Sequence, residues 1–114
     1  MIASVDCELS SLRTANFPAV NYFMKRRIII PNRLGLHARA AAKLVRLANS
    51  YESSVQILRC DSPEKTVDAK SILGILMLAA TQHIEIELIV EGSDETEAMT
   101  ALCQLIQNKF GELE

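Results

Sequence analysis

Ile84, Ile86, Leu88 and Val90 alternate with Glu85, Glu87 and Glu91, and only Ile89 interrupts the pattern. A period of two sends successive side chains to opposite faces, so this segment is a strand with one apolar face and one face of carboxylates. The rest of the chain must therefore cover one side of a sheet and leave the other in water.

The remaining segments supply that cover. The β-branched run from Arg26 to Asn32, ending around Pro31, reads as a first strand with the proline at its margin, where a missing N–H costs least. After Gly35, residues 38 to 50 place Ala41, Leu44, Val45, Leu47 and Ala48 at helical spacing, with Arg39, Lys43 and Arg46 on another face. Val55 to Cys60 and Lys65 to Ala69 are extended segments flanking the turn-forming Asp61-Ser62-Pro63-Glu64, which predicts a hairpin. Ser71 opens an apolar segment through Met77 that periodicity alone leaves as either a short helix or a buried strand, and the helix is favoured. Asp94, with Glu97 three residues on, resembles a capping box. Ala98, Leu102, Leu105 and Ile106 then form a helical stripe ending near Lys109 and Gly111.

The order is βαββαβα. It buries every apolar helix stripe if two helices and a short helix lie on one face of a four-stranded, mainly antiparallel sheet, an α+β open-faced sandwich. Residues 1 to 23 sustain neither period and read as a poorly ordered N-terminal extension, which makes Met24 a candidate for the true start and 24–114 the folded domain.

Composition removes several function classes. With a formal net charge of -2 and 4% aromatic residues, the chain offers neither the field nor the stacking surfaces of a nucleic-acid binder. The most apolar stretch, Ile72 to Ala80, is far below the roughly 20 residues that cross a bilayer, so no membrane insertion is expected. No targeting signal is visible near the start, where acidic Asp6 and Glu8 stand beside Arg13 alone. Cys7, Cys60 and Cys103 are widely spaced and unaccompanied by metal-ligand spacing, which fits a reducing cytoplasm and predicts no metal site and no cofactor.

One residue carries chemistry. His37 stands between Gly35-Leu36 and the first helical turn, so the N–H groups of Ala38, Arg39 and Ala40 and the positive end of the helix converge beside its ring. Such a place suits an anion, and a phosphoryl group on the imidazole would accept those N–H bonds while Arg39 adds a cation. Imidazoles keep a lone pair near neutral pH and are competent nucleophiles. The side chain is expected to be exposed. The residues alone also allow a capping or surface histidine there.

Asn32-Arg33-Leu34-Gly35-Leu36-His37-Ala38-Arg39-Ala40-Ala41 resembles the active-site segment of the HPr family of the bacterial phosphoenolpyruvate-dependent phosphotransferase system. Ala69-Lys70-Ser71-Ile72-Leu73-Gly74-Ile75-Leu76 is similar to the family's segment around its regulatory serine and docking helix, and the resemblance spans about residues 24 to 111. It implies a phosphocarrier, not an enzyme in its own right: Enzyme I would charge His37, Arg39 would stabilise the phosphate, and an A-type domain of the system would take the group. Ile72, Leu73, Leu76 and Met77 would then form a partly exposed docking patch, and Ser71 would be the site for HPr kinase. Ser71 also suits a helix cap. Sugar-transport members commonly carry Thr-Arg-Pro after the histidine, whereas Ala38-Arg39-Ala40 is closer to the nitrogen-related (NPr-like) branch.

Two other functions compete. A regulatory binding module would act through Ser71 and the apolar patch whether or not His37 is charged. An independent phosphotransferase or hydrolase would need a general base, metal ligands or a nucleotide loop, and none accompanies the histidine. His83, in Thr81-Gln82-His83, reads as a solvated loop residue, and the strand glutamates read as a wet face.

Overall fold

The computed structural model describes residues 23 to 114, so the expected behaviour of the N-terminal extension lies outside the described residues apart from Phe23. The elements run β1 (Met24–Ile29), α1 (Ala38–Asn49), β2 (Ser54–Arg59), β3 (Ser62–Asp68), α2 (Ile72–Leu78), β4 (Glu85–Glu91) and α3 (Glu95–Gln107), followed by a 3-10 turn at Lys109–Gly111. This is the α+β, βαββαβα order. The four strands form one sheet in the order β1-β4-β2-β3, and every neighbouring pair is antiparallel.

The alternating strand is one of the two central ones. β4 lies between β1 and β2, pairing Ile86 with Ile28 and Leu88 with Ile57. Ile86, Leu88 and Val90 are fully buried and meet Leu44, Ala48, Ile75, Met99, Leu102 and Ile106 from the three helices. Ile89, which broke the alternation, keeps the outer face and is half-buried opposite Lys25 and Gln56.

Strand limits differ from expectation in places with identifiable causes. β1 begins two residues earlier than the expected Arg26 and ends at Ile29, because Lys25 and Arg26 are tolerated on a strand that, among the described residues, pairs on one side only. The hairpin turn is tighter than Asp61-Ser62-Pro63-Glu64: Arg59 pairs with Ser62, leaving only Cys60-Asp61 as the loop. The Arg59 guanidinium clamps the Asp61 carboxylate with bonds of 2.9 and 2.8 Å, which closes that turn. Pro63 consequently lies inside β3, where it is accommodated because β3 is the other edge of the sheet.

The expected capping box on α3 does not form. Asp94 is the N-cap residue but its side chain makes no cap bond. It reaches across to the loop before β2, accepting from the N–H groups of Glu52 and Ser53 at 2.9 Å and from the Ser53 hydroxyl. Glu95, and not Glu97, turns back to accept from the Gly92 N–H at 3.2 Å. The loop's unpaired amides are the stronger claim on the Asp94 carboxylate, since they have no other secondary structure to join.

Those bonds, the Ser53 hydroxyl foremost and then the Glu52 amide, hold the Asp94 carboxyl below the usual carboxylate range despite the opposing effect of burial. A depressed native value makes the stabilisation complete above the unfolded-state value of about 3.9 and lost as pH falls through the native one. Asp94→Ala is therefore expected to lower the thermal midpoint at neutral pH, with the gap to the parent narrowing below about pH 4. Thermal melts of both proteins across that range check it, and a gap that persists unchanged into strong acid contradicts it.

Candidate functional site

Three segments meet at the start of α1: the loop 32–37, the end of α2 and the last residues of the chain. Gly35 makes the first junction. Its φ is 65°, in the left-handed region that glycine favours, and a Cβ there would lie 2.6 Å from the Ala80 carbonyl oxygen and 2.7 Å from the Thr81 Cα. The next residue, Leu36, donates its N–H to that same carbonyl at 2.9 Å and buries its side chain in the core. The loop is thus seated against the end of α2, backbone to backbone.

His37 follows as the N-cap of α1, with extended backbone (φ -77°, ψ -179°). Its Nδ1 accepts the Arg39 N–H at 3.3 Å, so the ring turns this nitrogen toward the helix start, where the first N–H groups have no intrahelical acceptor. The Nε2 edge faces the Glu112 side chain, with which it pairs closely. The histidine is less open than the sequence leads one to expect: its side chain is 24% exposed, because Glu112 covers one edge. Arg39 itself is exposed.

Glu112, which the sequence does not single out, completes this arrangement. Its Oε1 accepts from Asn32 Nδ2 at 3.0 Å, and the same Asn32 amide, fully buried, donates to the Gly35 carbonyl at 2.9 Å. Burial pulls the Glu112 carboxyl upward, but the bonds from His37 and Asn32, with the charge of Arg39, hold it below the ordinary range. Because Nδ1 accepts the Arg39 N–H, a neutral ring carries its proton on Nε2, the nitrogen that faces the Glu112 carboxylate.

The chain reaches this place by a left-handed return. Lys109, Phe110 and Gly111 have φ of 58°, 56° and 82° in succession. The Phe110 ring is buried in the core and its carbonyl accepts from Lys43 Nζ at 2.7 Å, which anchors the reversal. Beyond it, Arg33 donates its N–H to the Glu114 main-chain oxygen at 2.6 Å, and its guanidinium meets the Glu114 side-chain carboxylate at 2.8 Å. Arg33, Leu34, Arg39 and residues 111–114 line an open depression of about 550 Å³ beside the histidine.

α2 presents the second set of expected residues. Ile75 and Leu78 are its buried anchors, while Ile72, Leu73, Leu76 and Met77 are all exposed, Met77 by 77%. Leu34, which the sequence reading did not single out, adds an exposed leucine in the histidine loop. Ser71 caps α2, its hydroxyl accepting the Gly74 N–H at 3.2 Å. The two helices run in opposite senses: α1 starts beside Ala80 at the end of α2, and Asn49 at the end of α1 donates to the Lys70 carbonyl next to Ser71. Ser71 is therefore at the opposite end of α2 from the histidine loop, with the apolar patch between them.

Other sequence candidates gather no chemistry. Cys103 is buried on α3, as its place in the helical stripe implies, and Cys7 lies outside the described residues. Cys60 is partly covered beside Asp61 and His83, and burial together with Glu85 pushes its thiol up, away from the reactive thiolate. His83 occupies a left-handed turn position (φ 76°) and donates its N–H to Ile30. Among the described residues no group of three His, Cys, Asp or Glu side chains could hold a metal ion, and no helix is long and apolar enough to cross a membrane.

Comparison with known proteins gives a consistent result. The family model described as the phosphotransferase-system HPr component phosphorylation site matches residues 24–108. Over 89 residues the chain is 50% identical to the phosphocarrier protein HPr of Cupriavidus necator, covering 78% of this chain and 97% of that one. It is 49% identical over 85 residues to the HPr of Pseudomonas aeruginosa, covering 75% of this chain and 92% of that one. Among solved structures, HPr-C-His from Thermoanaerobacter tengcongensis superposes with a TM-score of 0.73 at 42% identity, covering 79% of this chain and 98% of that one. HPr from Bacillus anthracis gives 0.71 at 38%, covering 76% and 100%.

Because Gly35 combines a left-handed backbone with a sub-contact approach to Ala80 and Thr81, Gly35→Ala should unseat the loop. A loss of more than about 1 kcal/mol in denaturant unfolding is expected. Faster hydrogen exchange at the Leu36 amide should accompany it. Unchanged protection of that amide would show that the junction does not depend on the glycine.

Proposed function

The chain belongs to the HPr family of phosphocarrier proteins of the phosphotransferase system, and on that footing we propose that His37 Nδ1 is the atom that carries the phosphoryl group. As a member of this family the protein is a phosphoryl carrier, not a self-sufficient enzyme, and its partners are those of the phosphotransferase system. The residue-level reading rests on one observation. Of the two ring nitrogens, Nε2 is tied to Glu112 and Nδ1 turns its lone pair toward the helix start.

The chemistry follows from that placement. In the resting state the Arg39 N–H occupies the lone pair through a long bond of 3.3 Å, which an incoming phosphorus displaces at little cost. The Nδ1 lone pair attacks phosphorus, and the bond from phosphorus to the donor breaks with its electron pair leaving on the donor. The transferred oxygens then come within reach of the N–H groups of Ala38, Arg39 and Ala40 at the positive end of α1, and the mobile Arg39 guanidinium adds charge. Because stabilisation comes from main-chain donors and one flexible cation, the transfer reverses readily when an acceptor nucleophile approaches.

Phosphorylated Enzyme I is the donor in this reading, and an A-type acceptor domain of the system receives the group. Both would dock on the exposed side chains of Ile72, Leu73, Leu76 and Met77, which border the histidine loop through the contact of Ala80 with Leu36. The carrier unit is residues 24–114 and its compartment the cytoplasm. Ala38 and Ala40, in place of the Thr and Pro common in sugar-transport members, favour the nitrogen-related branch.

Ser71 supports a second, regulatory reading. Its hydroxyl is partly accessible at the far end of the same apolar patch, so a phosphoryl group added there by HPr kinase would set two negative charges against any partner seated on α2. The patch would serve as a binding surface in either state of His37.

With Enzyme I and phosphoenolpyruvate supplied, the parent protein should acquire acid-labile phosphate on His37, and His37→Ala should acquire none while keeping its fold. Met77→Glu should still be labelled, but at a donor concentration about tenfold higher, since roughly 1.4 kcal/mol of docking energy corresponds to a factor of ten. Mapping the label to a residue other than His37 would reject the assignment.

A further inference from the structure

We infer that Glu112 is a positioning residue for phosphoryl transfer, selecting the reactive tautomer of His37 and balancing the charge its ring acquires; this rests on the assignment of His37 as the carrier. Nothing in the composition or in the matched residues 24–108 points to it, because Glu112 lies beyond them.

Three observations converge. Glu112 presents both carboxylate oxygens to donors, Oε1 to Asn32 Nδ2 and Oε2 to the imidazole. Its side chain is only 13% exposed, so water competes little for either bond. The residue is also delivered by structure and not by chance proximity: the left-handed run at Lys109, Phe110 and Gly111, held by the buried Phe110 ring and by Lys43, turns the chain back onto the histidine loop. A non-glycine pair in that conformation carries a cost, and here it is held in place by packing on both sides.

The consequence for the reaction can be written out. A neutral imidazole has one protonated and one free nitrogen, and a carboxylate at Nε2 places the proton there and leaves Nδ1 as the nucleophile. When Nδ1 bonds to phosphorus and the donor departs with its electron pair, the ring keeps the Nε2 proton and gains a positive charge. Glu112 faces that charge directly. No proton has to enter or leave, and the reverse step restores the neutral ring with the same tautomer. Only a carboxylate does this, because an amide at 112 offers one acceptor where the site has two donors, and its NH2 would face either Asn32 or the imidazole.

The test uses the full chain with Glu112→Gln, Glu112→Ala and the parent, each confirmed folded by its amide spectrum. Nitrogen NMR of the neutral imidazole reads the tautomer without any partner. The equilibrium ratio of phosphorylated carrier to phosphorylated Enzyme I reads the charge effect, and a purely structural role would not move it in a folded variant. The parent is expected to be almost entirely the Nε2–H tautomer, and both variants a mixture. The equilibrium should shift toward the donor by about tenfold, the difference between a charge-assisted and a neutral hydrogen bond. Parent-like tautomer and parent-like equilibrium in both variants would overturn the inference, and so would a shift in only one of the two readouts. If the parent takes no label on His37, the carrier assignment fails, and this inference with it, whereas a labelled parent with unaltered variants removes Glu112 alone. Should the alanine variant lose the docked end of the chain, the glutamine variant, nearly equal in volume, decides.

Discussion

The histidine loop is positioned by one close approach of backbone to backbone, where Gly35 and Leu36 lie against Ala80 and Thr81. The absence of a side chain at Gly35 permits it, and the Leu36 N–H fixes it. From that contact follow the start of α1, the direction in which His37 leaves the chain, and the proximity of α2 to the histidine loop. The sheet contributes indirectly, by burying Ile86, Leu88 and Val90 against the helices that carry the two loops.

Much of this is legible in the residues. The period-two strand Ile84–Val90 is one of the two central strands, α1 occupies residues 38–49 against an expected 38–50, and Ser71 does open a helix. These are places where local preference and global packing agree. The hairpin and α3 show where they part: the Arg59–Asp61 clamp draws the turn two residues earlier than Pro63 suggests, and Asp94 abandons its own helix for the amides of Glu52 and Ser53. Both depend on partners distant in the chain or on geometry that a propensity does not encode.

The site divides in the same way. Gly35, His37 and the three helix-start amides are contiguous, and a reader of the sequence can place an anion beside the ring. The other half arrives from 75 residues away, as the separation of His37 and Glu112 records. The one trace of it is Asn108-Lys109-Phe110-Gly111, which reads as an ordinary helix end. Only the buried aromatic and three left-handed residues reveal a designed reversal. With both halves in place the imidazole is held at each nitrogen, so its tautomer is a property of the fold and not of the solvent.

The proline in β3 has a consequence that reaches beyond the single molecule. Among the described residues β3 is an outer strand, paired on one margin only. Pro63 has no N–H to donate, and Glu64 and Lys65 beside it stand exposed with their charges. A neighbouring strand laid along the other margin would find a gap in its ladder and two ions to desolvate, so the open border of the sheet resists growth into a larger one.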